Sequence, residues 1–202
     1  MPKKRTNPKT SQVKSSSQIR IIGGTWRSRK LPVLEHEGLR PTGDRMRETL
    51  FNWIAPWLPG ANCLDLFAGT GALGLEALSR GARHTQFIER SAKVAGQLAS
   101  NLHTLDVESL TASLANTDAL GWLSRPATEK FDIVFIDPPF AADLWQNAID
   151  LLQQNNWLAE DSMIYLEAPK NHILELPHEW APHREKINGD VRCILCHFGD
   201  RD

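Results

Sequence analysis

Apolar and polar positions follow two rhythms along this chain. Short, nearly continuous apolar runs occur at CLDLF (63–67), HTQFIE (84–89), FDIVFI (131–136) and DSMIYLE (161–167). VESLTASLAN (107–116) holds a weaker one. Such runs read as strands buried on both faces. Between them LEALSR (75–80), SAKVAGQLASNLHTL (91–105), DALGWLS (118–124) and LWQNAIDLLQQNNW (144–157) repeat apolar residues at helical spacing. HEWAPHREKI (178–187) and DVRCILCHF (190–198) close the chain as an antiparallel pair. Strands separated by helices predict an α/β, Rossmann-like doubly wound, mostly parallel seven-stranded sheet with an antiparallel edge strand.

Upstream of Pro59-Gly60 the pattern differs. QIRIIGG (18–24) and WRSRKLPV (26–33) flank a glycine-containing break and predict a β-hairpin. It would display Arg20, Arg27, Arg29 and Lys30, with Trp26 packed on the body. In LRPTGDRMRETLFNWIAPWL (39–58) Met46, Leu50, Trp53, Ile54 and Trp57 recur at helical spacing as core contacts. Asp44 is the expected N-cap, and Arg40, Arg45 and Arg47 extend the basic face. Residues 1–17, MPKKRTNPKTSQVKSSS, are polar and almost free of apolar anchors, which predicts a disordered basic tail.

Charge sharpens this division. The net charge is −1 over 202 residues. Residues 1–47 nevertheless carry twelve Lys and Arg against three acids, or +9, and the rest of the chain carries −10. A basic arm on an acidic body suits a polyanion, most simply nucleic acid. No apolar run approaches the roughly 20 residues of a membrane span, and the N-terminus lacks a signal-peptide core, so a cytoplasmic protein is expected. Three cysteines do not suggest a disulfide framework.

Two stretches carry candidate chemistry. In DLFAGTGALGLEAL (65–78), Gly69, Gly71 and Gly74 fit G-x-G-x-x-G between a strand and a helix, a weak signal for nucleotide-type ligands. Glu89 ends the next strand, twenty residues after Gly69, where a carboxylate can accept both ribose hydroxyls. Asp65, four residues before Gly69, opposes a pyrophosphate but suits a ligand with an ammonium and a sulfonium. It thus favours S-adenosylmethionine over NAD, although an Asp65 that only orders the loop through backbone N–H groups is compatible with both. Asp118 is either an acceptor for an adenine amine or the N-cap of the helix after it. The second stretch is FDIVFIDPPF (131–140), a buried strand ending in an acid, two prolines and an aromatic ring at the edge where ligands gather in such sheets.

In the order IRIIGGTWRSRKLP, RPTGDRMRETLFNW, DLFAGTGALGLEALSRGA, FIER, NTDAL and FIDPPF, these residues resemble class I S-adenosylmethionine-dependent methyltransferases. More narrowly they resemble the bacterial RsmD-type enzymes, which methylate the N2 amine of a guanine in 16S ribosomal RNA of the small subunit. The likeness runs from about Gln18 to Phe198 and leaves residues 1–17 outside it. It implies that Asp65, Gly69 and Gly71 line the methionine side of the cofactor, that Phe67 also contacts the cofactor, that Glu89 takes the ribose and that Asp118 takes the adenine. Asp137, Pro138, Pro139 and Phe140 would hold the target amine. Residues 18–58, with Arg20, Arg27, Arg29, Lys30, Arg40 and Arg45, would form an RNA-binding hairpin and helix, and residues 59–202 a methyltransferase domain. The family acts in the cytoplasm on ribosomal subunits or their precursors; with no heptad or unclaimed apolar stripe in view, a monomer is expected.

An exocyclic aromatic amine is a poor nucleophile because its lone pair is delocalised into the ring. Asp137 and a proline-loop carbonyl can accept its N–H bonds, turn the lone pair toward a sulfonium methyl and stabilise the developing positive charge. Phe140 offers a face for the base. Cys193-Ile194-Leu195-Cys196-His197 invites a metal reading, but in a strand Cys193 and Cys196 face opposite sides, so no metal is expected. Three alternatives share features of the sequence: an adenine-N6 or cytosine-N4 methyltransferase, a non-catalytic RNA-binding assembly factor and an NAD-dependent dehydrogenase.

Overall fold

The computed structural model describes residues 17–34 and 43–199. Residues 1–16, including most of the expected tail, and Arg40 lie outside the described residues. The predicted hairpin forms from β1 (Gln18–Arg20) and β2 (Lys30–Pro32), with Ile19 opposite Leu31. Both inward residues are buried and join the main core, while their neighbours face out.

The helix α1 (Asp44–Trp53) differs from expectation at its start. Gly43 is the N-cap, and Asp44 is the first helical residue. Its carboxylate instead accepts from Arg47 at 2.6 Å and from Arg20 at 2.9 Å. These guanidinium groups hold the Asp44 carboxyl below its ordinary value against a partial burial that raises it. Arg47 does not extend a basic surface: it is 2% exposed and donates to the Arg20 carbonyl at 2.8 Å, fastening the helix to the hairpin. The helix also ends at Trp53, before Pro59-Gly60, because a turn intervenes. Met46, Leu50 and Ile54 are buried as predicted, and Trp26, Trp53 and Trp57 pack partly buried against the same core.

The remainder alternates as predicted: β3 (Asn62–Asp65), α2 (Ala72–Ser79), β4 (His84–Ile88), α3 (Ala92–Thr104), β5 (Ala112–Ala115), α4 (Ala119–Leu123), β6 (Phe131–Ile136), α5 (Trp145–Gln154), β7 (Leu158–Pro169), β8 (Trp180–Asn188) and β9 (Val191–Phe198). The seven strands lie in the order β5-β4-β3-β6-β7-β9-β8, with β5 through β7 parallel. One detail departs from expectation. The reversed strand is β9, which inserts between β7 and β8 and pairs antiparallel with both, so β8 forms the edge. A tight hairpin must reverse direction, and placing its second strand inside hides the apolar CILC run. Cys193 accordingly joins one core and Cys196 the other, on opposite faces.

Alternation along β3 and β6 divides the interior. Cys63, Ile133 and Phe135 face a core shared with the hairpin, α1, α2 and α3, while Leu64, Val134 and Ile136 face one built with α4 and α5. The hairpin is anchored by polar contacts as well. Glu76, fully buried in α2, accepts the Ile22 and Gly23 N–H groups at 2.7 and 2.8 Å and pairs with Arg80 at 2.7 Å. A buried carboxylate with three donors is satisfied, and losing them would leave a costly charge. The N-terminal segment is thereby held on the same face of the sheet as the glycine turn.

Candidate active site

A cavity of about 730 Å³ opens where β3, β4, β6 and β7 end. It is lined by Asp65, Phe67, Gly69, Glu89, Asp118 and the whole Asp137–Phe140 loop, so every candidate residue for cofactor and target amine except Gly71 borders one space.

The cofactor half is built from carboxylates that grip backbone amides. Asp65 ends β3, is 3% exposed and accepts the Gly74 N–H at 2.9 Å. Burial pushes its carboxyl up to about 7; the Gly74 bond opposes this, and the charge of Glu89 adds to it. Gly71 is the N-cap of α2 with φ +77°, a left-handed conformation that glycine adopts without strain. Gly74 is required for a different reason. A Cβ there would lie 2.2 Å from the Phe87 ring, so α2 can lie this close to β4 only without a side chain. Just past β4, Glu89 accepts the Gly69 N–H at 2.9 Å and the Ser91 N–H at 2.6 Å. Asn116 donates to the carbonyls of Glu89 and Arg90 and ties this corner to the end of β5. Asp118 caps α4 by accepting the Gly121 N–H at 2.9 Å, and it also borders the cavity.

This donor set decides between ligands. A dinucleotide needs the free amides of a helix N-terminus for its pyrophosphate. Here Asp65 and Glu89 already occupy the amides of Gly74 and Gly69. Among the described residues, the wall around the glycine turn sets the carboxylates of Asp65, Glu89 and Asp118 against one cation, Arg90. Such a wall suits the cationic S-adenosylmethionine.

In the Asp137–Phe140 loop, two prolines remove two amide donors. Asp137 follows β6 half-buried, Pro138 is buried and Pro139 exposed. The Pro139 carbonyl accepts the Ala142 N–H at 2.9 Å, closing a 3₁₀ turn over Phe140–Ala142. That engagement leaves the Pro138 carbonyl as the better candidate for a target amine. Phe140 is half-buried, with its ring 5.6 Å from that of Trp145. Trp145 is buried and donates its indole N–H to the Glu167 carbonyl at 2.7 Å, bracing this half from below. Neither Trp145 nor Glu167 stands out in the sequence: one reads as helix core and the other as the last letter of a strand.

The basic candidates separate. Arg27, Lys30 and Arg45 are exposed; Arg20 is exposed but paired with Asp44; Arg29 donates to the Thr104 carbonyl at the end of α3, at 3.0 Å. Val33 and Leu34, just past β2, border a small cleft with Gly69 and Thr70, which sets the end of the hairpin beside the glycine turn.

Fold and site together define a class I S-adenosylmethionine-dependent methyltransferase. The family model described as "Conserved hypothetical protein 95" matches residues 19–197, and the chain belongs to that family. The protein named Ribosomal RNA small subunit methyltransferase D in Haemophilus influenzae is 49% identical over 178 residues, covering 88% of this chain and 92% of its own length. Its namesake in Escherichia coli K12 is 51% identical over 177 residues, covering 87% and 88%. The solved structure of yhhF from Escherichia coli is similar with a TM-score of 0.84 at 46% identity, covering 91% of this chain and 99% of that one.

Proposed function

We propose that this enzyme methylates the exocyclic N2 amine of one guanine in 16S ribosomal RNA. The observation that carries the reading is a single cavity holding both the acid-lined cofactor half and the Asp-Pro-Pro-Phe loop. S-adenosylmethionine supplies a methyl group on a sulfonium sulfur. Asp65 and Gly69 would bind its methionine end, Glu89 its ribose and Asp118 its adenine. Asp137 and the Pro138 carbonyl would accept the two N–H bonds of the amine, directing its lone pair at the methyl carbon. The amine nitrogen would take the methyl group in exchange for an N–H proton, which the methylated amine would afterwards release to solvent. Asp137 stabilises the charge that develops on nitrogen. The target guanine must leave its stack to enter, which costs least in an RNA loop, and the Phe140 ring would receive it.

Relatives named for small-subunit ribosomal RNA support the substrate, as does the +9 balance of the first 47 residues. The enzyme would work as a monomer in the cytoplasm, on the small subunit or a late precursor; no described helix is long and apolar enough to cross a membrane. The test is transfer from labelled S-adenosylmethionine to small subunits of a strain lacking this protein, followed by nucleoside analysis. N2-methylguanosine in the small-subunit RNA is expected. Label on adenine or cytosine would overturn the guanine assignment, and no transfer would favour an assembly factor.

A further inference from the structure

Beside Asp137 stands a second carboxylate. β6 and β7 run parallel, and their last paired rung is Ile136 with Leu166; Glu167 comes next within β7 and Asp137 comes next just past the end of β6, close enough for its charge to act on Tyr165 and Cys193. Neighbours on a rung point to the same side of a sheet. Here that is the side of Phe135 and Tyr165, opposite the side of Ile136 and Leu166. Both acids border the cavity. Glu167 is 7% exposed, its Oε2 accepts the Tyr165 hydroxyl at 2.9 Å, and its carbonyl is held by Trp145. Burial first, then the charges of Glu167, Cys193 and Asp137, raise the Tyr165 hydroxyl well above its ordinary value, so it stays a donor.

Two acids side by side in a half-closed pocket match a ligand edge with adjacent N–H donors. We propose that Glu167 accepts the N1–H of the target guanine while Asp137 holds the N2 amine, and that this pair selects guanine. This role for Glu167 rests on the proposed function. Guanine alone among the candidate bases places an N–H next to its exocyclic amine. Adenine and cytosine place a ring-nitrogen lone pair there, which would confront the Glu167 carboxylate acceptor to acceptor. Rejection by such a mismatch is far stronger than rejection by shape. Tyr165 is a positioning residue that acts through Glu167.

The test uses small subunits reconstituted with guanosine or 2-aminopurine riboside at the mapped target position. 2-Aminopurine keeps the N2 amine but carries a lone pair at N1. The wild-type enzyme should prefer guanosine by roughly 100-fold or more in kcat/KM. Glu167→Gln, whose amide can donate to that lone pair, should lose about 10- to 100-fold on guanosine and narrow the preference at least tenfold, with unchanged affinity for S-adenosylmethionine. Both bases differ at O6 equally for both proteins, so the change in ratio isolates N1. Tyr165→Phe should narrow the ratio less, again with cofactor affinity intact. An unchanged ratio in Glu167→Gln, or an equal fall in cofactor affinity, would overturn the role of Glu167. Absence of N2-methylguanosine from the wild-type reaction would instead refute the underlying function.

Discussion

The two halves of the cavity solve opposite problems. In the cofactor half, Asp65, Glu89 and Asp118 each accept at least one backbone N–H, so each is oriented before any ligand arrives. In the target half, two prolines remove donors from the loop, and rigidity comes from a 3₁₀ turn and a buried indole underneath. In the proposed function, the first half would present aimed negative charge to a cation and the second would present aimed acceptors to a weak nucleophile. One sheet edge thus serves both needs through the turn placed after each strand: a glycine turn supplies amides, and a proline turn withholds them.

The division can be broken from either side. The largest effect is expected from Asp137→Ala, which should lower single-turnover transfer by roughly 100- to 1,000-fold, the scale of losing one group aimed at developing charge. Gly74→Ala should cost about 1–3 kcal/mol by driving a methyl into the Phe87 ring, read as a lower Tm by calorimetry. Phe140→Ala should raise KM for the subunit about tenfold while Phe140→Tyr stays near wild type; equal losses would argue against stacking.

Asp65 gives the cofactor half a pH signature. Its carboxyl sits near 7 in the ligand-free protein, and a cationic ligand favours the ionised form. Affinity for S-adenosylmethionine should therefore rise with pH, by at most about tenfold per unit, up to about 7 and level off above. Asp65→Asn should flatten that profile in titration calorimetry. For stability the sign is reversed. The folded carboxyl titrates above its ordinary 3.8, so the folded state keeps a proton that the unfolded state releases. The ligand-free protein should lose stability as pH rises from about 4 to about 7. The smallest effects belong to the basic face: Arg27→Ala and Lys30→Ala should each lower the salt dependence of RNA binding by about one phosphate contact.

Legibility in the sequence divides between local patterns and long-range register. The glycine turn, Asp65, Glu89 and the Asp-Pro-Pro-Phe loop are local patterns, and alternating apolar runs suffice to place them at strand ends. Glu167 cannot be found that way, because its place beside Asp137 depends on the register between β6 and β7, with a whole helix intervening in the chain. Glu76 reads as an ordinary helix acid until the Ile22 and Gly23 amides fold onto it from 54 and 53 residues away. Arg47 reads as a surface cation until the hairpin covers it. The position of β9 inside the sheet is equally hidden, since a hairpin pattern does not say which strand joins the sheet first.

Titration of Asp137→Ala with S-adenosylmethionine tests the division of the cavity most directly. An affinity within about threefold of wild type is expected, although transfer to the small subunit is nearly lost. A fall in affinity as large as the fall in transfer would contradict the division, making Asp137 part of the cofactor half and the two halves one undivided site.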